Sequence, residues 1–211
     1  MLYTGDRDQR VYIVLIADRT SYTGPTDSTF LADARAMITG TYFGQAYFLA
    51  NQQSFNFWLA DATGVAAETP VAPVDPVCSP TPPANWAADY AWRDTGAILH
   101  QYTMRDCAGG GLFTTEPDSL GTVLHETGHS PFGLADEYAG DGGYFENSPF
   151  PNLYDTLAEC QDDAPSLGRV AADCQTITNT VPDPDVDWFK SDPIPDDLMN
   201  SRRPPNASDI R

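Results

Sequence analysis

Two of the three histidines in this chain stand four residues apart, in the run His125-Glu126-Thr127-Gly128-His129. On a helix, residues four apart share a face one turn above each other. His125 and His129 can therefore offer two imidazoles to a single metal ion. Neutral imidazole suits Zn²⁺, at roughly 2.0–2.1 Å. Such an ion brings the pKa of its bound water down to about 7. Glu126 lies about 100° round the helix from His125, within reach of that water. A carboxylate so placed can take the water's proton and later hand it to a leaving amine. The chemistry spelled by these three residues is metal-assisted hydrolysis.

Four-coordinate catalytic zinc takes three protein ligands and keeps one open position. The residues after His129 are Ser130-Pro131-Phe132-Gly133-Leu134-Ala135-Asp136-Glu137-Tyr138. Pro131 disfavours helical geometry at Ser130, so the helix is expected to stop there. Gly133 can take a positive φ and turn the chain sharply. Asp136 and Glu137 arrive just past that turn as hard oxygen ligands. Asp136 is the favoured third ligand, and Glu137 is the alternative.

Taken together, His125-Glu126-x-Gly128-His129-Ser130-x-x-Gly133-Leu134-x-Asp136-Glu137-Tyr138 resembles the signature of the igalysins. These are the immunoglobulin-A-peptidase-like members of the metzincin clan of zinc peptidases. The general metzincin pattern, H-E-x-x-H-x-x-G-x-x-H/D, is one residue shorter before the glycine, and the igalysin type includes the extra residue. The resemblance is strong over residues 95–140, extends to 10–60 and 186–203, and is not found in 61–85 or 147–182. It implies an α+β fold of the metzincin kind: a mixed, mostly parallel twisted sheet, two main helices in an upper lobe, and a small loop-rich lower lobe. Leu198-Met199-Asn200 is similar to the clan's Met-turn, which makes Met199 the turn methionine. The strand upstream of the zinc helix would be the sheet edge on which an extended substrate pairs, and Gly110, Gly111 and Leu112 fall there. The segment after the Met-turn would line a specificity pocket, and here it carries Arg202 and Arg203.

The elements that must position these groups are partly readable from the residues themselves. Val11–Ala17 is short, apolar and β-branched, a strand buried on both faces. Asp27 can cap a helix with Phe30, Leu31, Ala34, Met37 and Ile38 as its apolar stripe, interrupted by Gly40 and Gly44. A shorter helical piece follows over 45–50. Residues 54–60 alternate and read as a second strand, which makes a parallel crossover unit with the first. Residues 61–85 are rich in Ala and Pro and are expected to be a surface excursion. Residues 86–92 suggest a helical turn, and Ala97–Met104 a strand holding His100, which is expected to be a hydrogen-bonded strand histidine and not a ligand. Thr115-x-x-Asp118 looks like a capping box, which puts the start of the zinc helix at 115–117 and its end near Ser130. A short helix is expected around 154–160.

At 211 residues the chain suits one catalytic domain, with an upper lobe of about 1–130 and a lower lobe of about 131–211. The longest strongly apolar run has seven residues, too short to span a membrane. Residues 1–10 are mostly polar and do not read as a signal peptide, so a leader is expected to have been removed. Thirty acidic residues against eleven basic give a net charge of −19, and Lys190 is the sole lysine. This surface repels nucleic acid and anionic membranes and supports solubility, including in high salt. Four cysteines without C-x-x-C spacing point to two disulfides in a secreted protein. Of the three pairings, Cys160–Cys174 and Cys78–Cys107 are favoured because each ties down a loop-rich segment. Asp183, Asp185 and Asp187 alternate before Trp188 and are candidates for Ca²⁺, although a full loop motif is missing.

The expected activity is that of a secreted, monomeric zinc endopeptidase acting on protein or peptide, with Glu126 as general base and acid. A thermolysin-like enzyme, with Glu146 or Glu159 on a later helix as third ligand, is weakened by Asp136 arriving so soon after a glycine turn and by Met199. Two other readings fit the same residues. One is a non-catalytic acidic surface or adhesion module with a vestigial zinc site. The other is a zinc amidase acting on small or cell-wall substrates.

Overall fold

The computed structural model describes residues 2–5, 9–71, 74–137, 150–178, 187–191 and 198–201. The chain is α+β and divides into two compact units, Met1–Pro131 and Phe132–Arg211. Among the described residues no helix is long and apolar enough to cross a membrane.

The first unit is built on a five-stranded, mostly parallel sheet in the order β2-β1-β5-β7-β6. Strand β1 (Val11–Ala17) lies at its heart, and six of its seven residues are buried. It pairs in parallel with β2 (Phe55–Leu59) on one side and with β5 (Thr95–Leu99) on the other. Having sheet on both edges and packing on both faces is why this segment is apolar throughout rather than alternating. Strand β7 (Leu112–Thr115) extends the parallel set beyond β5. Strand β6 (Ala108–Gly109) closes the sheet as a short antiparallel edge.

Between β1 and β2 runs helix α1 (Ser28–Ala36), with Asp27 at its N-cap accepting the Thr29 N–H at 2.8 Å. Its inward stripe is Phe30, Ala34 and Met37, whereas Leu31 is exposed. The helix widens into a π-helical stretch, Met37–Tyr42, across Gly40, and helix α2 (Ala46–Ala50) follows. On one side of the sheet Val14, Ile16 and Ile98 pack with Ala66, Trp86, Tyr90 and Leu112.

Three expectations need correction here. Residues 61–85 are not only a surface excursion. Gly64 lies so close to Thr81 that a Cβ would come within 2.9 Å of its carbonyl oxygen, and the Ala66 N–H reaches back to the Asp18 carboxylate at 3.0 Å. Strands β3 (Glu68–Val71) and β4 (Val74–Cys78) then form a hairpin, and helix α3 (Trp86–Asp89) follows. The strand expected over 97–104 spans Thr95–Leu99, so His100 sits just past its end. The helix expected to start at 115–117 begins at Leu120: helix α4 is Leu120–His129. Thr115 is the last residue of β7, where ladder pairing with Leu99 outweighs the local capping pattern.

The second unit has its own core of Ala135, Leu153, Ile177 and Trp188, with Phe150 against it. Helix α5 (Leu157–Asp163) starts on a reciprocal capping box between Thr156 and Glu159. Strands β8 (Gln175–Thr178) and β9 (Asp187–Lys190) pair antiparallel. The disulfide Cys160–Cys174 joins α5 to the start of β8, as the sequence suggested. Cys107 is also disulfide-bonded, and the side chain of its expected partner Cys78 lies outside the described residues. Helix α6 (Leu198–Ser201) is a single turn.

Candidate metal centre

Helix α4 carries His125, Glu126 and His129 on a segment that is buried from Thr122 to Gly128. Its position is fixed by hydroxyl contacts. Tyr42 Oη and Thr127 Oγ1 lie 2.7 Å apart, and Thr127 also donates to the Val123 carbonyl at 2.7 Å. Just past the helix, Ser130 Oγ meets Thr95 Oγ1 of β5 at 2.7 Å. The helix stops where Pro131 requires: Ser130 is extended (φ −137°, ψ 113°), while its N–H still donates to the Glu126 carbonyl. Gly133 then adopts φ +67°, the left-handed turn that a residue with a Cβ resists.

The two imidazole rings lie 4.8 Å apart, centroid to centroid, at an interplanar angle of 84°. One ligand-forming atom from each of His125, His129 and Asp136 lies within 4.8 Å of the others. His125, Glu126 and Asp136 are all but inaccessible to solvent. Two neutral nitrogen donors and one carboxylate are a donor set that fits a divalent transition ion, and a buried carboxylate beside neutral rings favours a positive partner. The group can therefore hold a metal ion.

Glu137, the alternative third ligand, is committed elsewhere. Its Oε1 accepts from Asn152 Nδ2 at 2.9 Å, and its Oε2 pairs with Lys190 Nζ at 3.2 Å. Asn152 also brackets Ala135, accepting its N–H at 2.9 Å and donating to its carbonyl at 2.8 Å. The Glu137 N–H donates to the Met199 carbonyl at 3.1 Å. These bonds hold the backbone on both sides of Asp136 and fix where its carboxylate is delivered. Asn152 and Lys190 escaped the reading of the sequence. The one available signal was that Lys190 is the chain's only lysine.

The other expected site residues are distributed as follows. Met199 is fully buried and sits in α6, with its carbonyl toward Glu137. Gly110 (φ +62°) and Gly111 (φ +75°) are the two-residue turn between β6 and β7, and Leu112 is a buried residue of β7. The sheet edge is therefore Ala108–Gly109, a correction to the placement on Gly110, Gly111 and Leu112. Positive φ at both central residues is what a tight hairpin turn requires, and it draws the glycines out of the strand. Arg202 and Arg203 lie outside the described residues, as do Asp183 and Asp185 of the calcium candidate.

His100 is hydrogen-bonded, as expected, but it sits just past the end of β5 and belongs to a cluster. Its Nδ1 lies 2.8 Å from the Tyr102 carbonyl and its Nε2 lies 2.7 Å from Asp106 Oδ1. With Glu116 these residues form a second group whose ligand atoms lie within 4.8 Å of one another. Burial works against the His100 imidazolium, but the hydrogen bond and charge of Asp106 outweigh it and raise its pKa. Burial and the neighbouring Asp106 carboxylate push Glu116 up to about 7. Nothing in the spacing of residues 100, 106 and 116 announces this cluster. It exists because β5 and β7 are neighbours whose ends are level.

Searched against known proteins, the chain matches no family model and no curated protein.

Proposed function

We propose that this chain is a secreted, zinc-dependent endopeptidase of the metzincin type, similar to the igalysins, with His125, His129 and Asp136 as the metal ligands. The observation that carries the reading is the grouping of those three donors, with buried Glu126 on the same helix beside His125. A zinc ion bound there supplies Lewis acidity, polarising a scissile carbonyl and acidifying water. The chain's own residues do the rest. Glu126 accepts a proton from the attacking water and returns it to the departing amine, so that no free hydroxide or amide ion forms. The antiparallel edge at Ala108–Gly109 offers backbone donors and acceptors to an extended peptide, a mode that suits protein substrates better than small amides. The disulfide Cys160–Cys174 is in keeping with an extracellular location.

The test is cleavage of casein and of a proteome-derived peptide mixture by wild type and Glu126→Ala, each with metal content measured. Wild type should cleave in a chelator-sensitive way. Glu126→Ala should retain its zinc and lose activity by about 10²–10⁴-fold or more, the range removed with a general acid–base group. Wild-type-like cleavage by the variant refutes the role of Glu126. A zinc-loaded wild type that cleaves no peptide identifies a non-catalytic module, and cleavage confined to acyl-amino acids identifies an amidase.

A further inference from the structure

We propose that His100, Asp106 and Glu116 form a second metal site, for a zinc-class divalent ion, that fastens the loop from β5 to β6 onto the segment between β7 and α4. The site lies wholly within the first unit and does not rest on the peptidase reading.

Register puts the ligands together. Leu99 of β5 is paired with Thr115 of β7, so His100 and Glu116 are the next residues along two adjacent parallel strands. The His100 N–H continues the ladder by donating to the Thr115 carbonyl at 3.1 Å. Asp106 comes back to the same place from the loop that leads into β6, which begins at Ala108.

The ring's tautomer is set by its neighbours. The Tyr102 carbonyl can only accept, so Nδ1 carries the hydrogen at that contact. In the neutral ring Nε2 then presents a lone pair to Asp106 Oδ1, which is itself an acceptor, 2.7 Å away. Two lone pairs at that distance hold a proton between them, and a metal ion would take that proton's place with the two atoms moving apart. A carbonyl holding the far nitrogen is the support that orients metal-binding histidines. Asp106 is supported in the same way: its Oδ1 accepts from Thr114 Oγ1 at 3.0 Å, and Thr114 Oγ1 accepts the Cys107 N–H at 3.1 Å.

Charge, burial and access point the same way. Once a metal displaces their protons, two carboxylates and a neutral imidazole sum to −2, which a divalent ion neutralises. His100 is fully buried and Asp106 is 6 % exposed, so their charge is poorly screened by water. Glu116 is only partly buried and lines a cavity of about 650 Å³ with Asp33, Gln101 and Asp118, a negatively charged route of entry. The imidazole nitrogen sets the class of ion. Ca²⁺ and Mg²⁺ take oxygen ligands, whereas one nitrogen with two carboxylates suits zinc and its transition-metal neighbours.

The experiment is zinc stoichiometry by elemental analysis after equilibration with excess Zn²⁺ and gel filtration, on the full chain, with folding checked by circular dichroism. Four proteins are compared: wild type, Glu116→Gln, His125→Ala/His129→Ala, and the triple variant. Glu116→Gln is isosteric at a partly exposed position, so the fold survives it. Expected are about two equivalents, one, one and none, with zinc raising the melting temperature of the His125/His129 double variant but not of the triple variant. A Glu116→Gln protein that keeps the full complement overturns the proposal and identifies a proton as the occupant. So does a His125/His129 double variant that binds no zinc. Should the primary centre be the one that fails, the double variant would bind as much zinc as wild type while Glu116→Gln loses an equivalent.

Discussion

Asp136 and Glu137 are neighbours in sequence with the same chemistry, and their environments assign them opposite tasks. Asp136 belongs to the histidine group, and Glu137 is spent on Lys190 and Asn152. Asp136→Ala should therefore lower zinc occupancy with modest loss of stability. Glu137→Ala should do the reverse: it removes the Glu137 carboxylate from its buried ion pair with Lys190, a change that costs about 3 kcal/mol or more when one partner of a buried pair is deleted. Urea unfolding and metal analysis on both variants check this, and equal zinc loss in the two would contradict it. The sequence could bring both carboxylates to the turn but could not separate them, because the deciding partners, Asn152 and Lys190, come from distant segments. His125, Glu126 and His129 were legible because their relation is a property of one helix.

At the level of elements, what could be read depended on where the deciding bonds lie. Strand β1, the cap of α1, α2 and β2 followed from local pattern, since continuous apolar residues, a capping aspartate and alternation each carry their own physics. The start of α4 did not, because Thr115 gives its backbone to a ladder with Leu99 that no local rule contains. The displacement of Gly110 and Gly111 from the sheet edge into the turn has the same origin: the hairpin needs its glycines at positive φ. The α1 cap makes a prediction about pH. Asp27 is held down at about 2 by the backbone N–H of Thr23, then by the Thr23 hydroxyl and the Thr29 N–H. A carboxylate whose folded pKa is depressed contributes stability that is fully present above its unfolded value, about 4, and lost as pH falls toward 2. Asp27→Ala should therefore melt below wild type at pH 7, with the gap closing between about pH 4 and pH 2. A gap that persists unchanged at pH 2 would show that the charge is not what caps the helix.

On the scale of the whole molecule, charge is the dominant bias. A net −19, from thirty acidic residues against eleven basic ones of which the single lysine is buried in an ion pair, leaves repulsion among carboxylates dominant. Added salt shortens the screening length from about 30 Å at 0.01 M to about 3 Å at 1 M. The unfolding midpoint should rise with NaCl over that range, and a falling midpoint would mean that attractive surface pairs prevail. Composition made this global property fully readable. It could not reveal the cluster of His100, Asp106 and Glu116, which depends on the levelling of two strand ends.

The central claim is that His125, His129 and Asp136 together bind zinc. An anomalous-difference map recorded at the zinc edge from crystals grown with Zn²⁺ tests it at the atoms themselves. A peak within about 2.0–2.2 Å of one nitrogen of each ring and one Asp136 oxygen is predicted. A map with no density there, or with Glu137 in place of Asp136, would contradict it.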